Sequence, residues 1–195
     1  MLYLTADLHI NHKLMARLRG FGDDVQEMNE SILRSWNKTV APKDTVYIVG
    51  DVALTVTPEV IKLLKACNGS KILIPGNHDH SGIQRKLAEV MEVRSRLEVI
   101  KQKSMVYLSG GSCCNTLALC HYPMMCWPGD GLAFGHLHGT THHTDFSSYF
   151  DDKNAADVGW DVYHRPLPIY EFPFNKVAKQ HQEIASAWLR SDTEE

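Results

Sequence analysis

The sequence has no apolar run approaching the 18 residues that a membrane-spanning helix needs, which excludes a transmembrane anchor. Basic residues are not in excess: 20 Lys and Arg against 23 Asp and Glu leave a formal net charge of −3. That argues against a protein that holds duplex DNA by bulk phosphate neutralisation, which needs a clustered basic surface. Cysteine is sparse and odd in number, with Cys67, Cys113, Cys114, Cys120 and Cys126 and no C-x-x-C pair. This argues against a disulfide framework, no spacing supports a four-cysteine zinc site, and buried free thiols are expected. Low-complexity and proline-rich tracts are absent, so neither a disordered linker nor a collagen-like rod fits. The opening residues reach Asp7 without a basic segment, unlike a signal peptide. The expectation is a cytoplasmic chain with no membrane partner.

What is present is ordinary globular material, 44% hydrophobic and 22% charged over 195 residues. This length predicts a single domain spanning 1–195. Folding a chain of this size buries roughly 70% of its surface, enough for a core without staples.

Residues 2–6 read as a short apolar strand ending at Asp7. Asp23 or Asp24 can cap a helix whose Val25, Met28, Ile32, Leu33 and Trp36 recur at helical spacing. A buried strand over 45–49 ends at Gly50-Asp51, and Thr57-Pro58 opens a helix that stops near Asn68-Gly69. A third strand, 71–75, ends at Gly76-Asn77-His78-Asp79. Three apolar strands thus run straight into polar residues, and in an open α/β sheet the carboxyl ends of strands form the ligand crevice. The second half is richer in strand. A hairpin is predicted for 105–109 and 116–120, with the latter delivering His121. A strand over 132–135 delivers His136 and His138, shorter candidates follow at 156–159 and 167–170, and prolines confine the last to an edge. Residues 140–155 read as a loop, and Val177, His181, Ile184, Ala185, Trp188 and Leu189 as a closing amphipathic helix.

The outstanding residue is histidine. Seven of the 11 fall in short blocks: His9 and His12, His78 and His80, His121, His136 and His138. Four of these imidazoles, with the oxygens of Asp7, Asp51 and Asn77, make a set of seven ligands, each just after a predicted strand. A mixed N/O set suits Mn, Fe, Zn or Co, and seven ligands exceed one tetrahedral site. They suit two ions sharing a carboxylate, a recurrent device of phosphoryl chemistry.

The series Asp7-x-His9, Gly50-Asp51, Gly76-Asn77-His78-Asp79, His121, Gly135-His136-x-His138 resembles the calcineurin-like metallophosphoesterase superfamily, with all blocks in order. The 7–12 opening is similar to the small bacterial and phage members, and Asp157-Val158-Gly159-Trp160-Asp161 followed by Arg165-Pro166-Leu167 fits the same impression. The resemblance implies an α/β four-layer sandwich, two mixed β-sheets flanked by helices. It implies two transition-metal ions, Mn first among them. Asp7, His9 and His138 would hold one ion, Asn77, His121 and His136 the other, and Asp51 would bridge both. His78 would stand beside the metals as a catalytic residue, stabilising charge on the phosphoryl group or protonating the leaving oxygen, and Asp79 would orient it. The reaction implied is hydrolysis of a phosphate ester by in-line attack of a bridging hydroxide.

With no length left for a capping domain, an open, shallow site is expected. It would act on a phosphorylated small molecule, a nucleotide or a nucleic-acid end, with a phosphodiester preferred. A phosphomonoesterase shares the same ligands and is the alternative. An inactive binding scaffold would be expected to show gaps in the set, and there are none.

Other residues carry weaker expectations. His12 is either a phosphate or ligand support or a loop histidine, and His80 is read as structural. His142 and His143 belong to the polar loop. Tyr122, Trp127 and Trp160 are read as packing rather than base-stacking residues. Asp145, Asp151, Asp152 and Asp157 read as a solvated acidic face. Lys13, Arg17 and Arg19 are candidates to grip a distal phosphate.

Overall fold

The computed structural model describes residues 1–107, 113–139, 149–150 and 153–172. The first sheet forms as the strand pattern predicts. Strands β1 (Leu2–Thr5), β2 (Thr45–Ile48), β3 (Ser70–Leu73) and β4 (Glu92–Val93) run parallel, with β9 (Leu167–Pro168) antiparallel on the outer edge of β1. The edge place of β9 suits Pro168, which has no N–H for a second neighbour. The second sheet has the order β5 (Leu97–Tyr107), β6 (Cys113–Cys120), β7 (Gly131–Phe134) and β8 (Ala155–Asp157). Its β5–β6 pair is antiparallel and the other two pairs are parallel. Both sheets are therefore mixed, and helices flank them, as expected.

Period-two alternation sorts the strand side chains into layers. On β2, Val46 and Ile48 face the helices, whereas Tyr47 and the following Val49 face the second sheet. On β6, Leu117 and Leu119 meet the first sheet while Ala118 and Cys120 face the other way, toward Phe134 and Phe150. Every one of these positions except Tyr47 is buried, which is why the strands read as continuous apolar runs.

Helix α2 (Val25–Thr39) starts where Asp24 accepts from the Glu27 N–H at 2.9 Å and packs Met28, Ile32 and Trp36 on the first sheet. Helix α3 (Pro58–Ala66) has Thr57 as its cap and proline in its first turn. Three short helices escaped the sequence reading: α1 (Lys13–Leu18), α4 (Ser81–Leu87) and α5 (Trp160–Tyr163). The first two are capped by His12 and His80, whose rings accept from the N–H groups of Met15 and Gly82. These caps give both histidines a structural use, as expected for His80.

Strand β5 starts at Leu97, ahead of the predicted 105. Leu97 and Val99 on it are exposed, so the buried-strand signal is missing there. The turn at Gly110-Gly111-Ser112, residues 140–148 and 151–152, and the expected closing helix lie outside the described residues. Cys67 and Cys120 are free and buried, and burial pushes the Cys67 thiol up to about 12. Cys126 is free but exposed, contrary to expectation.

Candidate metal centre

Every strand that the sequence ends on a polar block delivers that block to one edge. Past β1 and β2 the backbone stays paired: Asp7 N–H donates to Gly50 O at 3.0 Å, His9 N–H to Asp51 O at 3.1 Å and Ile10 N–H to Val52 O at 2.9 Å. From the other sheet, Gly135 N–H donates to His121 O at 3.0 Å. A parallel bridge between Ala6 and Gly159 joins the two sheets at this place.

These crossings need unusual backbone. Asp7, His9, Asp51, His136 and His138 all have positive φ, between 46° and 72°. Non-glycine residues seldom adopt that region. Gly135 has a different reason to be glycine, because a Cβ there would lie 2.5 Å from Asp7 Oδ2 and 2.6 Å from Ala6 Cβ. Gly135→Ala is expected to lower stability by about 1–3 kcal/mol through overpacking. It should also displace the Asp7 carboxylate, so that urea unfolding and metal-binding stoichiometry fall together.

Two clusters result. Asp7, His9 and His138 bring ligand atoms within 4.8 Å of one another, and so do Asp51, His121 and His136. Asp51 Oδ2 lies between them, 3.4 Å from His121 Nε2 and 3.8 Å from His9 Nε2. Asn77 joins the second cluster, with Oδ1 2.9 Å from His121 Nε2. His78 stands at the rim, 43% exposed, with Nε2 3.7 Å from Asp51 Oδ2. His136 is exposed, and Tyr122 leans edge-on against both His121 and His136. Trp127 and Trp160 are packing residues, as expected.

The hydrogen bonds around these clusters leave places for cations. Both ring nitrogens of His9 are buried without a partner. Burial pushes that imidazole down to about 3, so it stays neutral, with Nε2 3.9 Å from Asp7 Oδ1. Burial also raises the Asp7 carboxyl to about 7, although the His136 N–H reaches Oδ2 at 2.9 Å. His121 Nδ1 donates to Val49 O at 2.8 Å, which turns Nε2 toward two oxygens, Asn77 Oδ1 and Asp51 Oδ2. Either a proton or a cation must sit among those three atoms. A donor set of imidazole nitrogens and carboxylate oxygens, with the buried His9 nitrogens left unpaired, fits transition-metal ions.

Two predicted roles change. The Asp79 carboxylate does not orient the His78 ring. It accepts from the N–H groups of Asp51 at 2.7 Å, Val52 at 3.3 Å and Gly76 at 2.9 Å, so it fixes the loops that carry Asp51 and His78. Asp157 is not on a solvated face either. It is buried and accepts from Gly159 N–H at 2.7 Å and Gly139 N–H at 3.1 Å, with burial raising its carboxyl. The other acids of that stretch, and His142 and His143, lie outside the described residues.

Arg19 also departs from expectation. Its Nε and Nη2 meet Asp161 at 2.6 and 3.0 Å, Nη1 donates to Leu8 O at 2.8 Å, and Nη2 donates to Asp7 O at 2.7 Å. The fifth N–H, on Nη1, points to Met28 Sδ at 3.8 Å, so no donor is left for a phosphate. Arg17 pairs with Asp23 on the surface. The residue that sequence reasoning missed is Asp161, whose Oδ2 lies 2.7 Å from His138 Nδ1. Burial works against this carboxylate, but His138 and Arg19 outweigh it and hold it well below the usual range. A carboxylate on the far nitrogen of a ligand histidine is a common orienting device. The only sequence signal was its place in the Asp157–Asp161 segment.

Residues 2–192 match the family model described as calcineurin-like phosphoesterase. The Gene 66 protein of Mycobacterium phage D29 is 28% identical over 87% of this chain and 92% of its own length. The Gene 66 protein of Mycobacterium phage L5 is 39% identical over 40% of this chain. An uncharacterized protein of Methanocaldococcus jannaschii, MJ1445, is 36% identical over 45% of it. These two matches span 39% and 52% of the relatives' own lengths. A crystal structure of a protein of unknown function from Aquifex aeolicus, AQ665, superposes with a TM-score of 0.64 at 23% identity, covering 86% of this chain and 94% of that one. That likeness bears on the fold.

Proposed function

This chain belongs to the calcineurin-like phosphoesterase family, and from that premise we propose that it hydrolyses phosphate esters with two metal ions, its substrate a phosphodiester of nucleotide or nucleic-acid type. The family is metal-dependent. The observation that carries the reading is the convergence of two His/Asp clusters on the shared carboxylate of Asp51.

In this reading Asp7, His9 and His138 hold one ion, Asn77, His121 and His136 the other, and Asp51 both. When bound, such a pair polarises phosphoryl oxygens and acidifies coordinated water. The chain's own residues do the rest. Asp7 and Asp51 supply the buried negative charge that retains the cations. His121 is fixed as a ligand through Nε2 by its bond to Val49 O. His78 faces the open side, where its ring can give a proton to the departing ester oxygen. Asp79 keeps the Asp51 and His78 loops in register through three N–H groups. Exposure of His78 and His136 supports the diester preference, because an open side leaves room for a second ester arm.

Mn-dependent hydrolysis of bis-p-nitrophenyl phosphate and of p-nitrophenyl phosphate, with Asp51→Asn as the blank, tests this. A higher rate on the diester supports the proposal. A higher rate on the monoester transfers it to the phosphomonoesterase reading and leaves the metal assignment standing.

Asp161→Asn gives a separate check. The amide keeps the shape but loses the charge that holds His138 and Arg19. Affinity for the ion at Asp7, His9 and His138 is expected to fall about 10–100-fold, with the other ion much less affected. Calorimetric titration with Mn should then resolve two unequal sites.

A further inference from the structure

A cleft of about 1050 Å³ opens beside the metal centre, between α1, α2 and α5. His136 and His138, one from each cluster, are among the residues that line it. Met15, Phe21, Met28, Ile32 and Trp160 border it, the core residues Met15, Met28, Ile32 and Trp160 almost wholly buried and Phe21 partly exposed. Leu18, also on its wall, is 69% exposed. The size is at the upper end for small-molecule sites, and an apolar lining with few polar groups is their usual character.

Charge narrows the occupant. Among the described residues, the cleft's permanently charged side chains are Arg19 and Asp161. They satisfy each other: both oxygens of Asp161 and all three nitrogens of Arg19 have partners, and the side chains are only 14% and 6% exposed. Neither can receive a charged group of a ligand. An anion entering the cleft would lose its hydration and meet, among the described residues, no unpaired Lys or Arg, only His136, His138 and His164.

We propose that this cleft is the specificity pocket for one arm of the phosphate ester, and that it takes an uncharged, apolar or aromatic organic group rather than a second phosphate or a carboxylate. Because His136 and His138 belong both to the two clusters and to the cleft's lining, a phosphoryl group held at the metals would leave its organic group within reach of the cleft. The proposal rests on the functional reading above only in seating the phosphoryl group there.

Binding of non-hydrolysable phosphonates to the Mn-loaded protein, followed by calorimetry, tests it without turnover. Phenylphosphonate is expected to bind at least about tenfold more tightly than methylphosphonate, from burial of the ring. 4-Carboxyphenylphosphonate should lose most of that gain. Ser31→Trp, which places an indole on the α2 wall of the cleft, should reduce the phenyl preference to less than about threefold. Equal binding of phenyl- and methylphosphonate by the unaltered protein overturns the proposal, as does tighter binding of the carboxylated ring. Phenyl preference without hydrolysis of any ester would leave the pocket standing and sink the proposed reaction instead.

Discussion

Asp51→Asn is expected to abolish measurable phosphate-ester hydrolysis, a loss of more than about 10⁴-fold, and to leave the purified protein with less than one ion per chain. The replaced oxygen lies 3.4 Å from His121 Nε2 and 3.8 Å from His9 Nε2, so both clusters share it. Substitution by an amide removes the one negative charge common to them and turns an acceptor into a donor facing two imidazoles. Burial alone raises this carboxyl, yet contact with His121 and the N–H of His78 keeps it below its ordinary value. It is thus ionised and ready for cations. Because the other oxygen accepts from the His78 N–H at 3.0 Å, a bond that an asparagine carbonyl can keep, the fold should survive. Metal analysis and circular dichroism separate the two effects. Retention of both ions by the Asp51→Asn variant would overturn the bridging role.

The second large effect is expected from His78→Ala, and its signature is the reverse. Both ions should stay, and kcat should fall about 10²–10⁴-fold, the range for a positioned acid. His78 Nε2 is 3.7 Å from Asp51 and its ring is 43% exposed, so deleting it opens no core cavity and removes no buried charge. An ester with a very acidic leaving group needs less proton donation and should lose less than one with an alkoxide leaving group. A uniform loss over both esters, or loss of metal, would remove His78 from the acid role.

Much of this architecture was legible in the sequence because it rests on local rules. The buried runs at 2–6, 45–49 and 71–75 became β1, β2 and β3, and capping chemistry placed the starts of α2 and α3 at Asp24 and Thr57. The histidine and aspartate blocks could be gathered on paper because each follows a strand and strand ends share an edge. What escaped depends on distant partners. Arg19 and Asp161 are 142 residues apart, and only the folded chain shows that the arginine is consumed by the aspartate. Asp79 looked like a partner for its neighbour His78 by adjacency, whereas its oxygens turn inward to the N–H groups of Asp51, Val52 and Gly76. Helices α1 and α4 are short and begin at histidines, which are poor start signals and were already competing for a chemical reading.

The left-handed backbone at Asp7, His9, Asp51, His136 and His138 has a consequence for the life of the protein in a cell. Each such residue costs about 1 kcal/mol, so the five together withhold about 5 kcal/mol, a large part of the net stability of an ordinary domain. Ligands that bind only the folded state return stability in proportion to their saturation. Scarcity of metal should therefore deplete the protein itself, through unfolding and proteolysis, as well as silence its chemistry. A lineage that no longer needed the chemistry would gain robustness by drifting to glycine or asparagine at these five positions. Aspartate and histidine at these five positions hold this fold away from its most durable form.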